Sequence, residues 1–120
     1  MKLPVRSIPL RSTGDVLAIA QGTTDGGSTR TVQGRTGVAV WNSSLLFSRL
    51  LDAISISQDE SFLTGKTVLE LGCGCGLSSI AAAKLGASRV IATDGNAEVN
   101  QLSRYNVEKN GMESVVETAE

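Results

Sequence analysis

The spacing of apolar residues changes along the chain, and each change marks an element. Two short β-prone runs, at 16–21 and 30–33, flank an Asp25-Gly26-Gly27 turn signal and predict an N-terminal hairpin. Leu46, Phe47, Leu50, Leu51 and Ile54 then recur at helical spacing behind the potential caps Asn42, Ser43 and Ser44. One apolar stripe of that kind predicts an amphipathic helix ending near Ser55. After a polar stretch at 57–66 comes Thr67-Val68-Leu69-Glu70-Leu71, an apolar run with one acid near its end, which predicts a buried parallel strand.

Glycines at 72, 74 and 76 break that strand, and an Ala-rich segment at 77–85 predicts a helix stopped by Gly86, with small side chains that let it lie close to a sheet. A second strand at 89–94, a helix at 97–110 closed by Asn110-Gly111, and the start of a third strand at Val115-Val116 follow. The order β-α-β-α-β with short connections is that of an α/β fold, a Rossmann-like doubly wound parallel sheet with right-handed crossovers. Residues 1–35 are expected to form a tail and hairpin, and residues 36–120 a partial domain cut after about its third strand. A sheet of three parallel strands has an uncovered edge, so the piece by itself is expected to be marginally stable or prone to aggregate.

Composition trims the possibilities. With 120 residues, 41% of them hydrophobic, the chain can bury one core. Its formal net charge of −1 provides no general attraction to nucleic acid or an anionic membrane. The charge is uneven, because Lys2, Arg6, Arg11, Arg30 and Arg35 outweigh Asp15 and Asp25 before residue 36 and leave the remainder net acidic. No apolar run approaches the roughly twenty residues of a membrane span, and a soluble protein, cytoplasmic or also nuclear, is expected. The basic, acid-free residues 1–14 share a trait with organelle presequences, but Pro4 and Pro9 argue against the amphipathic helix such signals need. There is no histidine, which removes the usual general base and the commonest metal ligand. Cys73 and Cys75, one residue apart, would make a strained disulfide or supply only two metal ligands, so they are read as small turn-filling side chains and no metal site is expected.

The candidate chemistry lies in Glu70-Leu71-Gly72-Cys73-Gly74-Cys75-Gly76, where a strand turns into a helix. Glycines there permit positive φ and close approach of a ligand, and amides at the following helix N-terminus can receive an anionic group. The dinucleotide fingerprint fails, because counting from Gly72 or Gly74 puts Leu77 or Ser79 at its third glycine. A phosphate-binding loop would need Gly-Lys-Ser/Thr where Gly76-Leu77-Ser78 stands. Asp94, at the tip of the second strand, is placed to accept hydrogen bonds from both hydroxyls of a ribose, against the alternative of a turn or cap residue. A ribose without a pyrophosphate fits best. Glu70 is expected to orient the ligand through an amino group or nearby amides, against the alternative of a solvent-facing strand-end acid.

The run Thr36-Gly37-Val38-Ala39-Val40-Trp41-Asn42-Ser43-Ser44, followed by Gly65 through Leu77, Ala83-Lys84-Leu85-Gly86-Ala87, Thr93-Asp94 and Asn106-Val107-Glu108-Lys109-Asn110, resembles the seven-β-strand methyltransferases of the protein-lysine methyltransferase-like family. The resemblance implies S-adenosyl-L-methionine as cofactor, with Trp41 lining its pocket, Gly72, Cys73 and Gly74 touching it and Asp94 holding its ribose; Glu70 and Gly76 complete the candidate cofactor-binding residues. It implies methyl transfer to a protein lysine. It also implies a second aromatic and an acidic substrate motif beyond residue 120, so no residue of this chain is assigned a catalytic role and the chain alone is expected to be inactive. From the residues alone Trp41 is a core or hairpin anchor, Tyr105 a packing residue, and Asn106 and Asn110 a polar helix face with a C-terminal cap. A non-catalytic or partner-completed binding module stays open beside the enzyme, and a nicotinamide-dependent reductase more remotely.

Overall fold

The computed structural model describes residues 3–22, 40–58 and 61–120. Its elements are β1 (Val5–Pro9), β2 (Val16–Ala20), α1 (Asn42–Ser57), β3 (Thr67–Leu71), α2 (Leu77–Lys84), β4 (Arg89–Thr93), α3 (Ala97–Lys109) and β5 (Val116–Ala119). Among these residues no helix is long and apolar enough to cross a membrane.

The β-α-β-α-β order holds. β3, β4 and β5 lie side by side in parallel, with Val68 opposite Val90 and Val90 opposite Val116. Because side chains alternate across a pleated strand, one face carries Val90, Ala92 and Val116, all buried, and the other carries Leu69 and Leu71, 60% and 78% exposed. The covered face meets Leu77, Ile80 and Ala81 of α2 and Leu102 and Val107 of α3 in one core, which also takes in Ile8, Leu17 and Ile19 of the hairpin. Fully burying side chains of the size of Leu17, Ile19 and Ile80 contributes about 2 kcal/mol each. β3 therefore departs from the expected buried strand: among the described residues it pairs on one side with β4, and Thr67, Leu69 and Leu71 are exposed.

The hairpin also departs from expectation. β2 forms at the anticipated run, but its partner is β1, antiparallel, with Val5 opposite Ala20 and Pro9 opposite Val16. Residues 5–9, expected as tail, are a strand; the run at 30–33 and the Asp25-Gly26-Gly27 signal lie outside the described residues. Pro9 is tolerated because it ends β1, where a missing N–H breaks no ladder. The connection closes with the Leu10 amide donating to the Asp15 carbonyl at 2.8 Å, and Gly14 supplies φ 76°.

Helix α1 runs two residues past Ser55, and its cap is not one of the anticipated side chains. Trp41 holds the N-cap position in extended conformation with no side-chain cap, so Asn42, Ser43 and Ser44 fall inside the first turn. Its buried face is Ser48, Leu51, Asp52 and Ser55, whereas Leu46, Phe47 and Leu50 of the apolar stripe are 70%, 49% and 52% exposed. The helix is rotated by what Asp52 does. Its carboxylate accepts the Arg11 and Ser12 amides at 2.8 and 2.9 Å and the Ser12 hydroxyl at 2.5 Å, fastening the β1–β2 turn to the helix.

Candidate functional site

Three contacts tie the tip of β3 to the tip of β4. The Thr93 hydroxyl donates to the Glu70 carbonyl at 2.8 Å, the Cys73 amide to the Thr93 carbonyl at 2.8 Å, and the Gly74 amide to Asp94 Oδ2 at 3.1 Å. The glycine turn between them has Gly72, Gly74 and Gly76 at φ 69°, 57° and 91°, a left-handed path that β-carbon-bearing residues adopt only with strain. The two outer glycines serve different ends. A Cβ on Gly76 would come within 2.9 Å of Ser103 Oγ on α3, while a Cβ on Gly72 would meet nothing within 4 Å and project into open space.

Of the anticipated residues, Glu70, Gly72, Cys73, Gly74, Gly76 and Asp94 are gathered at the carboxyl ends of β3 and β4, where open parallel sheets bind ligands. Trp41 belongs to the head of α1, 53% exposed. Asp94 is not the cap of α3. That role falls to Asn96, whose side chain accepts the Glu98 and Val99 amides, and Asp94 Oδ1 accepts the Asn96 amide at 3.1 Å. The Asp94 carboxylate thus spans from the glycine turn to the head of α3.

Glu70 points to the α2 side of the sheet, where its Oε1 accepts the Ser79 hydroxyl at 2.6 Å. Burial raises its carboxyl above the usual range, with the Ser79 and Ser78 hydrogen bonds opposing. It also lines a cavity of about 290 Å³ with Phe47, Leu51, Val68 and Ala82, an apolar space between α1, α2 and β3 that includes neither Asp94 nor Gly72. The polar tip and this apolar space are separate features that meet at Glu70, through its backbone carbonyl at the tip and its side chain in the space.

Cys73 and Cys75 are buried and not joined in a disulfide. Burial pushes the Cys73 thiol up to about 11, against the hydrogen bond to Ser103 at 3.6 Å and with the Glu70 and Asp94 carboxylates adding to the rise. Cys75 is raised for the same first reason. Burial thus shifts both thiols toward the protonated form.

Sequence reasoning misplaced Asn106, whereas Asn110 is the C-terminal cap of α3 as expected. Asn106 is fully buried, and its carboxamide accepts the Ala20 amide at 2.8 Å and donates to the carbonyls of Ala20 and Cys75, both at 2.9 Å. Asn110 repeats the pattern one helical turn on, accepting the Ala18 amide at 3.0 Å and donating to the Ala18 carbonyl at 2.9 Å. Asn106 is therefore no part of an exposed face, and Asn110 is half-buried. The available signal was spacing, since Val99, Leu102, Ser103 and Asn106 share the buried side of α3.

A family model described as lysine methyltransferase matches residues 28–120. The ribosomal protein L11 methyltransferase of Aeromonas hydrophila is 51% identical over 55 residues, 46% of this chain and 19% of that protein. The chain spans about a fifth of the length of the curated relatives it matches. Among solved structures, the ribosomal protein L11 methylase of Lactobacillus delbrueckii aligns over 92% of this chain and 56% of its own, at 26% identity and a TM-score of 0.54. The Trypanosoma brucei PRMT1 enzyme-prozyme complex with AdoHcy aligns over 65% and 23%, at 33% identity and a TM-score of 0.54.

Proposed function

This chain belongs to the lysine methyltransferase family, whose model covers 28–120, and on that premise we propose that it forms the S-adenosylmethionine-binding part of an enzyme that methylates a protein at lysine side chains. The observation that supports the reading best is the hydrogen bond from the Gly74 amide to Asp94, which joins the glycine turn to the strand-tip acid. Open space above Gly72 admits a ligand against the backbone, and the Asp94 carboxylate offers acceptors of the kind that two ribose hydroxyls need. Relatives named for methylating ribosomal protein L11, together with the family's description, favour a protein acceptor.

When bound, S-adenosylmethionine supplies a methyl group on a positively charged sulfur. The residues of this chain serve alignment, which is much of the catalysis in an in-line displacement. Asp94 would fix the ribose, Gly72, Cys73, Gly74 and Gly76 would set the backbone against the ligand, Glu70 would hold the turn from the α2 side, and Trp41 would close the pocket. The accepting lysine must lose its proton before attack, because its unperturbed pKa is near 10.4. None of these seven residues is assigned that task.

Titration of the protein with S-adenosylhomocysteine tests the cofactor reading. Asp94→Ala and Gly72→Val are each expected to weaken binding by about tenfold or more, from lost charge-assisted hydrogen bonds in the first and filled space in the second. Unchanged affinity in both variants would remove the assignment. Incubation with labelled cofactor and protein extract, followed by mapping of the modified residue, tests the acceptor. The exposed Leu69 and Leu71 favour one second reading, a binding module completed by another chain, which predicts cofactor binding without transfer.

A further inference from the structure

The carboxamide of Asn106 joins three parts of the molecule that are far apart in sequence. It sits on α3, serves both the amide and the carbonyl of Ala20 on β2, and donates to the carbonyl of Cys75 inside the glycine turn. Only one orientation of the amide suits two carbonyls and one N–H, so the side chain acts as a fixed three-way connector. From Ala20 the connection runs on, because the next residue, Gln21, accepts the Val40 amide on its Oε1 at 2.9 Å, and Val40 precedes Trp41. On the other side Cys75 lies between Gly74, whose amide meets Asp94, and Gly76, which has room only for hydrogen against Ser103.

We propose that Asn106 is a positioning residue of the cofactor site. It sets the Cys75 peptide, and through it the path of the glycine turn, relative to β2 and the head of α1, without touching the ligand. The inference rests on the cofactor reading above. Asn110 supplies the contrast. It holds Ala18 in the same manner and donates to the Asn106 carbonyl at 2.8 Å, but it has no bond to the turn. Asn110 secures the hairpin, whereas Asn106 secures the hairpin and aims the turn.

The test compares Asn106→Asp with Asn110→Asp in the protein by calorimetric titration with S-adenosylhomocysteine, well below the unfolding temperature of each variant. Asn106→Asp turns a donor into an acceptor against two carbonyls, and its dissociation constant is expected to rise about tenfold, while that of Asn110→Asp changes less than about twofold although its melting temperature falls. Equal shifts in the two variants would reduce Asn106 to a structural residue and overturn the proposal. Should the aspartate variant fail to fold, Asn106→Ser, smaller and uncharged, carries the same comparison. Wild-type hydrogen exchange supplies a measurement free of variants: the Ala20 amide is expected to slow together with those of residues 72–76 when S-adenosylhomocysteine is added. Ala20 exchange that ignores the ligand would overturn the coupling. Absence of any wild-type binding would instead remove the cofactor reading, and a wild type that binds beside an Asn106→Asp variant that binds equally well would sink this inference alone.

Discussion

At its turn the β1–β2 hairpin is held by a carboxylate, that of Asp52 on α1, whereas along β2 it is held by two carboxamides, those of Asn106 and Asn110 on α3. A carboxylate only accepts, so it suits a turn that presents neighbouring donors, the Arg11 and Ser12 amides and the Ser12 hydroxyl. The outer edge of a strand presents donors and acceptors alternately, and a carboxamide matches that sequence as a short length of strand would. The two holds also differ in what they answer to. Protons can break the first, while the second is insensitive to pH and depends on exact shape, most of all at the fully buried Asn106.

Truncation at the buried hold should cost the most. Asn106→Ala would leave the Ala20 amide and the Ala20 and Cys75 carbonyls without their partner inside the core, and a loss of about 3 kcal/mol is expected from urea unfolding curves. Asp52→Ala should cost less, about 2 kcal/mol by the same measurement, because Arg11 and Ser12 are exposed and water can replace the lost acceptor. Equal losses would mean that burial does not separate the two holds.

The smallest expected effect concerns pH. Burial would raise the Asp52 carboxyl, but hydrogen bonds from Ser12 and Arg11 outweigh it and hold the group below the usual carboxylate range. Its folded value lies below its unfolded value of about 3.9, so its stabilisation is complete above that value and is lost as the pH falls through the folded one. Glu70 runs the other way. With its folded value raised, its contribution is most favourable below the unfolded value and is lost as the pH rises through the folded one. Stability measured from pH 7 downward should therefore gain slightly from Glu70 before it loses from Asp52. Asp52→Asn should abolish the later loss and Glu70→Gln the earlier gain; an unaltered profile in Asp52→Asn would show that the turn is not held by charge.

Much of the candidate site was legible because its signals are local. Glycine at 72, 74 and 76 is a statement about backbone angles, and each of the three has the positive φ that the residue type permits. Asp94 was placed by its position at a strand end, which needed only the parallel order of β3 and β4. The apolar stripe of α1 was legible as helix but misleading as to which side is buried, because amphipathic spacing reveals a face without revealing what will cover it. The β1–β2 pairing was hidden by prolines at 4 and 9 and by a stronger turn signal downstream.

What the order of residues determined by itself was the succession of elements, the left-handed glycine bend and the acid at the next strand tip, since each depends on neighbours a few positions away. Tertiary structure alone decided that Asn106 and Asn110 turn inward to serve β2 and that Asp52 rather than Leu46, Phe47 or Leu50 orients α1. The physical reason is the same in each case. Each of these buried polar groups is met by partners from distant segments, and no local pattern records which segments those will be.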